Sequence, residues 1–164
     1  MEIRKIQIED AKNLLNLLKK LDAETTFLLY EKDERNSTIE QQRKNIQEQL
    51  EKGSLTFVLE DNKKLAGYVF GNTFTANRKK HCMNLAIAIL QEYTGKGYGT
   101  KLMNTIEEYA INNGITRLEL EVAKTNKVAI SLYQKTGFEE EGIKRNAFLV
   151  NGKYEDELLM AKII

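Results

Sequence analysis

Thr94-Gly95-Lys96-Gly97-Tyr98-Gly99-Thr100 decides the fold of this 164-residue chain. Three glycines alternate there, directly after an apolar run ending at Leu90 and directly before a stretch of helical periodicity. A glycine loop between a strand and a helix is an anion site. Backbone N–H groups at the helix start point at the ligand, and the helix dipole favours negative charge. Any Cβ would hold a diphosphate away from that backbone. The loop therefore predicts a seat for the pyrophosphate of a coenzyme. It does not fit the dinucleotide fingerprint, which needs two residues between its second and third glycines. Nor is it a P-loop, because Lys96 does not follow a four-residue spacer.

Downstream of the loop, Leu102, Met103, Ile106, Tyr109 and Ala110 recur on one helical face, and Asn113-Gly114 ends the helix. Thr116 to Val122 reads as a strand. Asn126 caps a short helix that turns Ala129, Leu132 and Tyr133 inward and stops at Gly137. Phe138 to Arg145 and Tyr154 to Ile164 read as closing strands around Asn151-Gly152. Upstream, His81 to Leu90 is the strand that feeds the loop, entered from the polar turn Asn77-Arg78-Lys79-Lys80. Leu55 to Glu60 and Leu65 to Asn72 form a hairpin around Asp61-Asn62-Lys63. Thr38-Ile39-Glu40-Gln41 is a capping box opening a helix that runs through Leu50 to a stop at Gly53. Asp22 to Asn36 is irregular. Ala11, Leu14, Leu15, Leu18 and Leu21 mark the first helix, with Asp10 as its start signal, and Met1 to Gln7 alternates as a strand. The order β-α-α-β-β-β-α-β-α-β-β predicts one α+β domain over residues 1–164, without repeat, linker or low-complexity tract.

Composition narrows the function. The 25 basic and 24 acidic residues nearly cancel, which argues against a protein built to grip nucleic acid. Cys82 is the only cysteine and His81 the only histidine. An internal disulfide is excluded, and a zinc cluster or histidine metal site is not expected, so no metal enters the reading. Met1-Glu2-Ile3-Arg4-Lys5 opens no signal-peptide apolar run, and no apolar run approaches bilayer length. The expectation is a soluble cytoplasmic protein that engages no membrane.

Ile87-Ala88-Ile89 before the loop, Leu118-Glu119-Leu120-Glu121-Val122 after its helix, then Asn126, Ala129, Ile130, Leu132, Tyr133 and Gly137-Phe138 follow at fixed intervals. Together with the glycine loop, this arrangement resembles the GNAT superfamily of N-acetyltransferases. The resemblance is strong over residues 81–140. Elsewhere it rests on element order and on the ending Gly152-Lys153-Tyr154-Glu155-Asp156-Glu157-Leu158-Leu159-Met160. It looks most like the bacterial branch of ribosomal-protein alanine and amino-acid N-acetyltransferases. The implied fold is a twisted, mixed but mostly antiparallel sheet flanked by about four helices. The implied co-substrate is acetyl-CoA, the acceptor a primary amine, and a homodimer is common among such proteins.

Acetyl transfer from a thioester to an amine needs few parts: a base for the amine proton, a donor to polarise the carbonyl, and a proton donor for the departing thiolate. The resemblance assigns them. Backbone groups of Ile87, Ala88 and Ile89 would pair with the pantetheine arm as an added strand, while the Ile87 and Ile89 side chains also read as core. Thr94, Gly95, Lys96, Gly97, Tyr98, Gly99 and Thr100 would hold the pyrophosphate. Family members carry Gln or Arg where Thr94 stands, so a cation is lost there, and Lys96 reads equally as a compensating cation or an exposed loop lysine. Asn126 would contact the pantetheine arm, or serve as a plain helix cap, or both. Tyr133 would be the general acid, against a core-packing role. Glu121 would be the general base, against a place on the solvent face where Glu119 and Glu121 alternate with Leu118 and Leu120. Cys82 reads as a small buried residue, because no partner base is evident.

For the acceptor, the resemblance points to Glu24 to Tyr30, Arg145 to Phe148 and Tyr154. Arg145 pairing a substrate carboxylate would favour free amino acids; Arg145-Asn146 with an aromatic two residues on resembles the peptide-acetylating branch. Glu24, Glu31, Asp33 and Glu34 would suit a polyamine, or form a solvated loop. The rival from another class is a non-catalytic acyl-CoA-binding regulatory or interaction module, which would keep the loop and lose Tyr133 or a base. A nucleotide-binding switch would need the P-loop lysine and magnesium ligands that are missing here.

Overall fold

The computed structural model describes residues 1–164. Seven strands, β1 (Glu2–Lys5), β2 (Leu55–Asp61), β3 (Lys64–Thr73), β4 (Cys82–Ile89), β5 (Arg117–Ala123), β6 (Glu139–Val150) and β7 (Lys153–Ile163), form one sheet in the order β1-β2-β3-β4-β5-β7-β6. All neighbours are antiparallel except β4 and β5. Helices α1 (Ala11–Glu24) and α2 (Ile39–Glu51) cover one face, and α3 (Tyr98–Asn112) and α4 (Lys127–Lys135) the other. The element order is the one the sequence predicts.

Each face has its own apolar core, because strand residues alternate between them. Leu55, Phe57 and Leu59 of β2 join Leu102, Met103 and Ile106 of α3, whereas Val58 joins Leu14, Leu17 and Leu21 of α1 and Ile46 of α2. Ile106, Leu102 and Leu118 are wholly buried, and each such side chain contributes roughly 1.5–3 kcal/mol. The capping box forms as read: Gln41 N–H donates to Thr38 Oγ1 at 3.2 Å, and Thr38 N–H to Gln41 Oε1 at 2.8 Å.

Two local readings change. Asp10 starts α1 but its side chain caps nothing in it. Its carboxylate accepts from Gln7 N–H at 2.8 Å and from both Nη atoms of Arg4, at 2.7 and 2.9 Å. The sixth strand runs on past Arg145 to Val150. Its register breaks between Lys144 and Phe148, where Asn146 takes a φ of 51°, and that irregularity hides the strand's second half from a pattern of simple alternation.

Candidate active site

The sheet opens at its one parallel joint. β4 and β5 pair only from Cys82–Arg117 to Asn84–Glu119. Beyond that they diverge, and a cleft of about 850 Å³ passes between them from the α1 face to the α4 face. Register fixes which β4 groups face the gap. Leu90 N–H bonds Ala66 O at 2.9 Å, so alternate positions Ala88 and Ala86 turn their backbone toward β3, opposite Tyr68 and Phe70. Leu85, Ile87 and Ile89 turn theirs into the gap, where β5 has departed. The edge offers a peptide-like arm a strand to pair with. Ile87 and Ile89 also pack on the larger core, so their two sequence readings hold together. Ala88 lines the cleft but its backbone is committed to β3.

The glycine loop stands at one end of the cleft, and every N–H from Gly95 to Thr100 lacks a protein acceptor. Gly95 and Gly97 adopt φ values of 72° and 81°, and a Cβ on either would meet no protein atom within 4 Å. Glycine takes that conformation without strain, and amides without a protein acceptor are what an anion seat requires. Gly99 is there for another reason: its Cβ would stand 2.9 Å from Leu132 Cδ2, so it lets α3 approach α4. Thr94, Gly95, Gly97, Gly99 and Thr100 line the cleft; Lys96 and Tyr98 do not. The Lys96 ammonium donates to Glu92 O at 2.8 Å and lies over the Tyr93 ring. The Thr94 hydroxyl donates to Gln91 O at 2.8 Å, so its proton is spent within the turn.

Tyr133 and Asn126 meet the cleft from α4. Asn126 Oδ1 accepts from Ala129 N–H at 3.2 Å, so it caps the helix while its side chain borders the gap. Tyr133 is buried beside Phe138. Burial pushes its phenol well above the usual range, with a smaller push from Tyr68, and holds it neutral. No protein group bonds its hydroxyl, yet no fully buried side-chain polar atom lacks a partner, so the hydroxyl keeps contact with solvent, on a residue that lines the cleft.

On the opposite face of the sheet stands Glu121, exposed and paired with Lys144 Nζ at 2.7 Å. Beside it is Glu157, buried, which sequence reasoning missed. Both line the cleft. Desolvation raises Glu157 above the ordinary carboxylate range, and the neighbouring Glu121 raises it further by hydrogen bonding and like charge; Lys144, 3.7 Å away, works against both. Two carboxyls of unequal environment facing one cavity make a base that keeps one proton longer than usual. The available signal was the odd acidic residue in Glu157-Leu158-Leu159-Met160, two residues along β7 from Leu159, the cross-strand partner of Glu121, and so on the same face.

The acceptor side is built by the end of α1 and the segment after it. Glu24, Phe27, Leu28, Leu29 and Tyr30 line the cleft as expected, whereas Arg145, Phe148 and Tyr154 lie outside it, as do Glu31, Asp33 and Glu34. β6 is the sheet's outer strand and is separated from the gap by β7 and β5, which is why its side chains do not reach. Tyr68 and Arg35, unassigned by sequence, stand in the wall. Glu24 Oε2 accepts from Gln91 N–H at 2.9 Å and Lys20 pairs with Glu92 at the same distance, tying α1 to the turn before the glycine loop.

Residues 15–138 match the acetyltransferase (GNAT) family. A spermidine N(1)-acetyltransferase of Vibrio cholerae is 34% identical over 102 residues, 61% of this chain and 58% of that protein. A [ribosomal protein bS18]-alanine N-acetyltransferase of Escherichia coli is 31% identical over 107 residues, 65% and 70% of the two chains. The chain spans less than two thirds of the length of several curated relatives it matches. Its full length superposes on a GNAT acetyltransferase from Streptococcus pneumoniae with a TM-score of 0.94 and 32% identity, covering 99% of each chain. A Salmonella typhimurium protein solved with its cofactor acetyl-CoA shares the fold at a TM-score of 0.87 and 17% identity, covering 99% of this chain and 93% of that one. The strand gap, the amide-lined loop and these matches agree: the chain belongs to the acetyltransferase (GNAT) family.

Proposed function

We propose that the protein transfers an acetyl group from acetyl-CoA to a primary amine by direct attack on the thioester. The observation that carries this reading is the β4–β5 gap, with unpaired strand groups on one edge, free amides at one end, and a neutral phenol and a carboxyl pair on opposite faces. The thioester supplies an acyl group already activated for transfer. The backbone of Leu85, Ile87 and Ile89 pairs with the pantetheine arm, and the amides from Gly95 to Thr100 hold the pyrophosphate. Asn126 borders the arm with its free amide nitrogen. Backbone N–H at the end of β4 polarises the acyl carbonyl.

The amine arrives from the α1 face, where Glu157, supported by Glu121, takes its proton directly or through one water. Tyr133, on the other face, gives a proton to the departing sulfur. Its raised phenol stays protonated throughout the neutral range, so the donor is always loaded. Acetyl-CoA is an intracellular metabolite, so such an enzyme works in the cytoplasm, and a bacterial one fits the bacterial relatives.

Calorimetric titration with acetyl-CoA, CoA and ATP, followed by thiol release with an amine panel, tests this. Saturable one-site binding of the first two ligands alone, with amine-dependent thiol release, is expected. Binding without thiol release for any amine would replace the enzyme with an acyl-CoA-binding module, and no binding would remove the reading.

A further inference from the structure

The acceptor wall contains one guanidinium held for a purpose the transfer chemistry does not use. Arg35 is half-buried and lines the cleft beside Tyr68. Its Nε and Nη2 donate to the two oxygens of Asp22 at 2.7 and 3.0 Å, and the Asp22 side chain is only 1% exposed. The guanidinium also lies over the Tyr30 ring, 4.5 Å from its centroid. Side-on pairing and stacking fix the plane of the group, and they leave Nη1 without a protein acceptor. Since no fully buried side-chain polar atom lacks a partner, Nη1 keeps contact with solvent, on a residue that lines the cleft.

Charge in the cleft is divided. Glu121 and Glu157 come from the β5–β7 side and Lys135 from α4, while on the acceptor wall Arg35, from the segment after α1, stands with Glu24 of α1, whose carboxylate already accepts from Gln91 N–H. An acceptor with an amine at one end and an anion at the other matches both. A polyamine would bring a second cation to a guanidinium.

Resting on the acetyltransferase reading, we infer that Arg35 is a specificity residue that binds the carboxylate of a small amino acid whose amine is acetylated. Asp22 and Tyr30 position Arg35 and do not touch the acceptor.

The test measures thiol release from acetyl-CoA with the twenty L-amino acids, their carboxamides, spermidine and an alanine-leading peptide amide. One or more amino acids should exceed their own carboxamide at least tenfold in kcat/KM, and spermidine should be poor. Arg35→Gln should erase that ratio through KM, with kcat toward the amide little changed. Because Arg35→Gln leaves Asp22 buried and unpaired, Arg35→Gln with Asp22→Asn is the matched variant, and it too should lose the ratio while keeping wild-type affinity for CoA. Carboxamides, spermidine or the peptide amide used as well as the acids, or no acid used at all, would overturn the inference. In that event, intact CoA binding would leave the acetyltransferase reading standing, whereas loss of CoA binding by the unmodified protein would take that reading down first.

Discussion

Glu157 is buried against Glu121, and the two carboxyls share the ammonium of Lys144, 2.7 Å from one and 3.7 Å from the other. The exposed member carries the salt bridge and the buried member carries the raised pKa. A base for an amine is better placed on the second, because its proton affinity lies nearer the working pH.

This asymmetry predicts a pH profile. Glu157 must be ionised to accept a proton, so kcat/KM should rise with pH through an inflection above the ordinary carboxylate range. Glu157→Gln should lower the rate about a hundredfold and remove that limb. Glu121→Gln deletes the like charge that raises Glu157, so the limb should move to lower pH with activity retained. Lys144→Met deletes the cation that lowers Glu157, so the limb should move the other way. Rate profiles from pH 5 to 9 read all three, and an unchanged limb in Glu157→Gln would assign the base elsewhere.

Tyr133→Phe removes a proton donor without changing the ring that packs beside Phe138. The kcat should fall about a hundredfold or more, with CoA affinity and melting temperature nearly unchanged. Because burial holds the phenol neutral across the assay range, the basic side of the wild-type profile should not belong to Tyr133. A wild-type kcat at saturating substrates would exclude it as the acid.

Much of this site was legible in the chain because its geometry is backbone geometry. Gly95 and Gly97 need positive φ, and Ile87 and Ile89 sit two residues apart on a strand, so spacing alone announces the loop and the edge. Asn126 caps the short helix that carries Tyr133, and their spacing brings both to the gap. What stayed hidden depends on distant pairing. Glu157 meets Glu121 only through the β5–β7 register, and Arg35 is fixed by Asp22 across an irregular segment with no period. Arg145 looked like an acceptor residue by its neighbours in sequence, but its strand is outermost in the sheet.

Asp10 predicts an acid-sensitive fold. Hydrogen bonding from Arg4 holds its carboxyl below the ordinary value, aided by Gln7 N–H and opposed by burial. A depressed folded-state pKa stabilises above the unfolded value and is lost as pH falls through the folded one. Urea midpoints should therefore decline below about pH 4. Asp10→Asn should cost roughly 1.5–3 kcal/mol at pH 7, where charged hydrogen bonds are lost, and should flatten the decline. An equally steep decline in Asp10→Asn would locate the acid sensitivity in another carboxylate.

Gly97 and Gly99 sit two residues apart in one loop and should fail in different ways. Gly97 has a φ of 81° with open space where a Cβ would go. Gly97→Ala should cost about 1–2 kcal/mol of backbone strain and weaken CoA binding at least tenfold, because the added methyl occupies the anion seat. Gly99 has an ordinary helical place, but a side chain there meets Leu132. Gly99→Val should cost about 1–3 kcal/mol by overpacking, and Leu132→Ala should return part of that loss by vacating the contact. Thermal unfolding and CoA titration of the four proteins complete a double-mutant cycle. A coupling energy near zero between positions 99 and 132 would mean that Gly99 serves the ligand rather than the joint between α3 and α4.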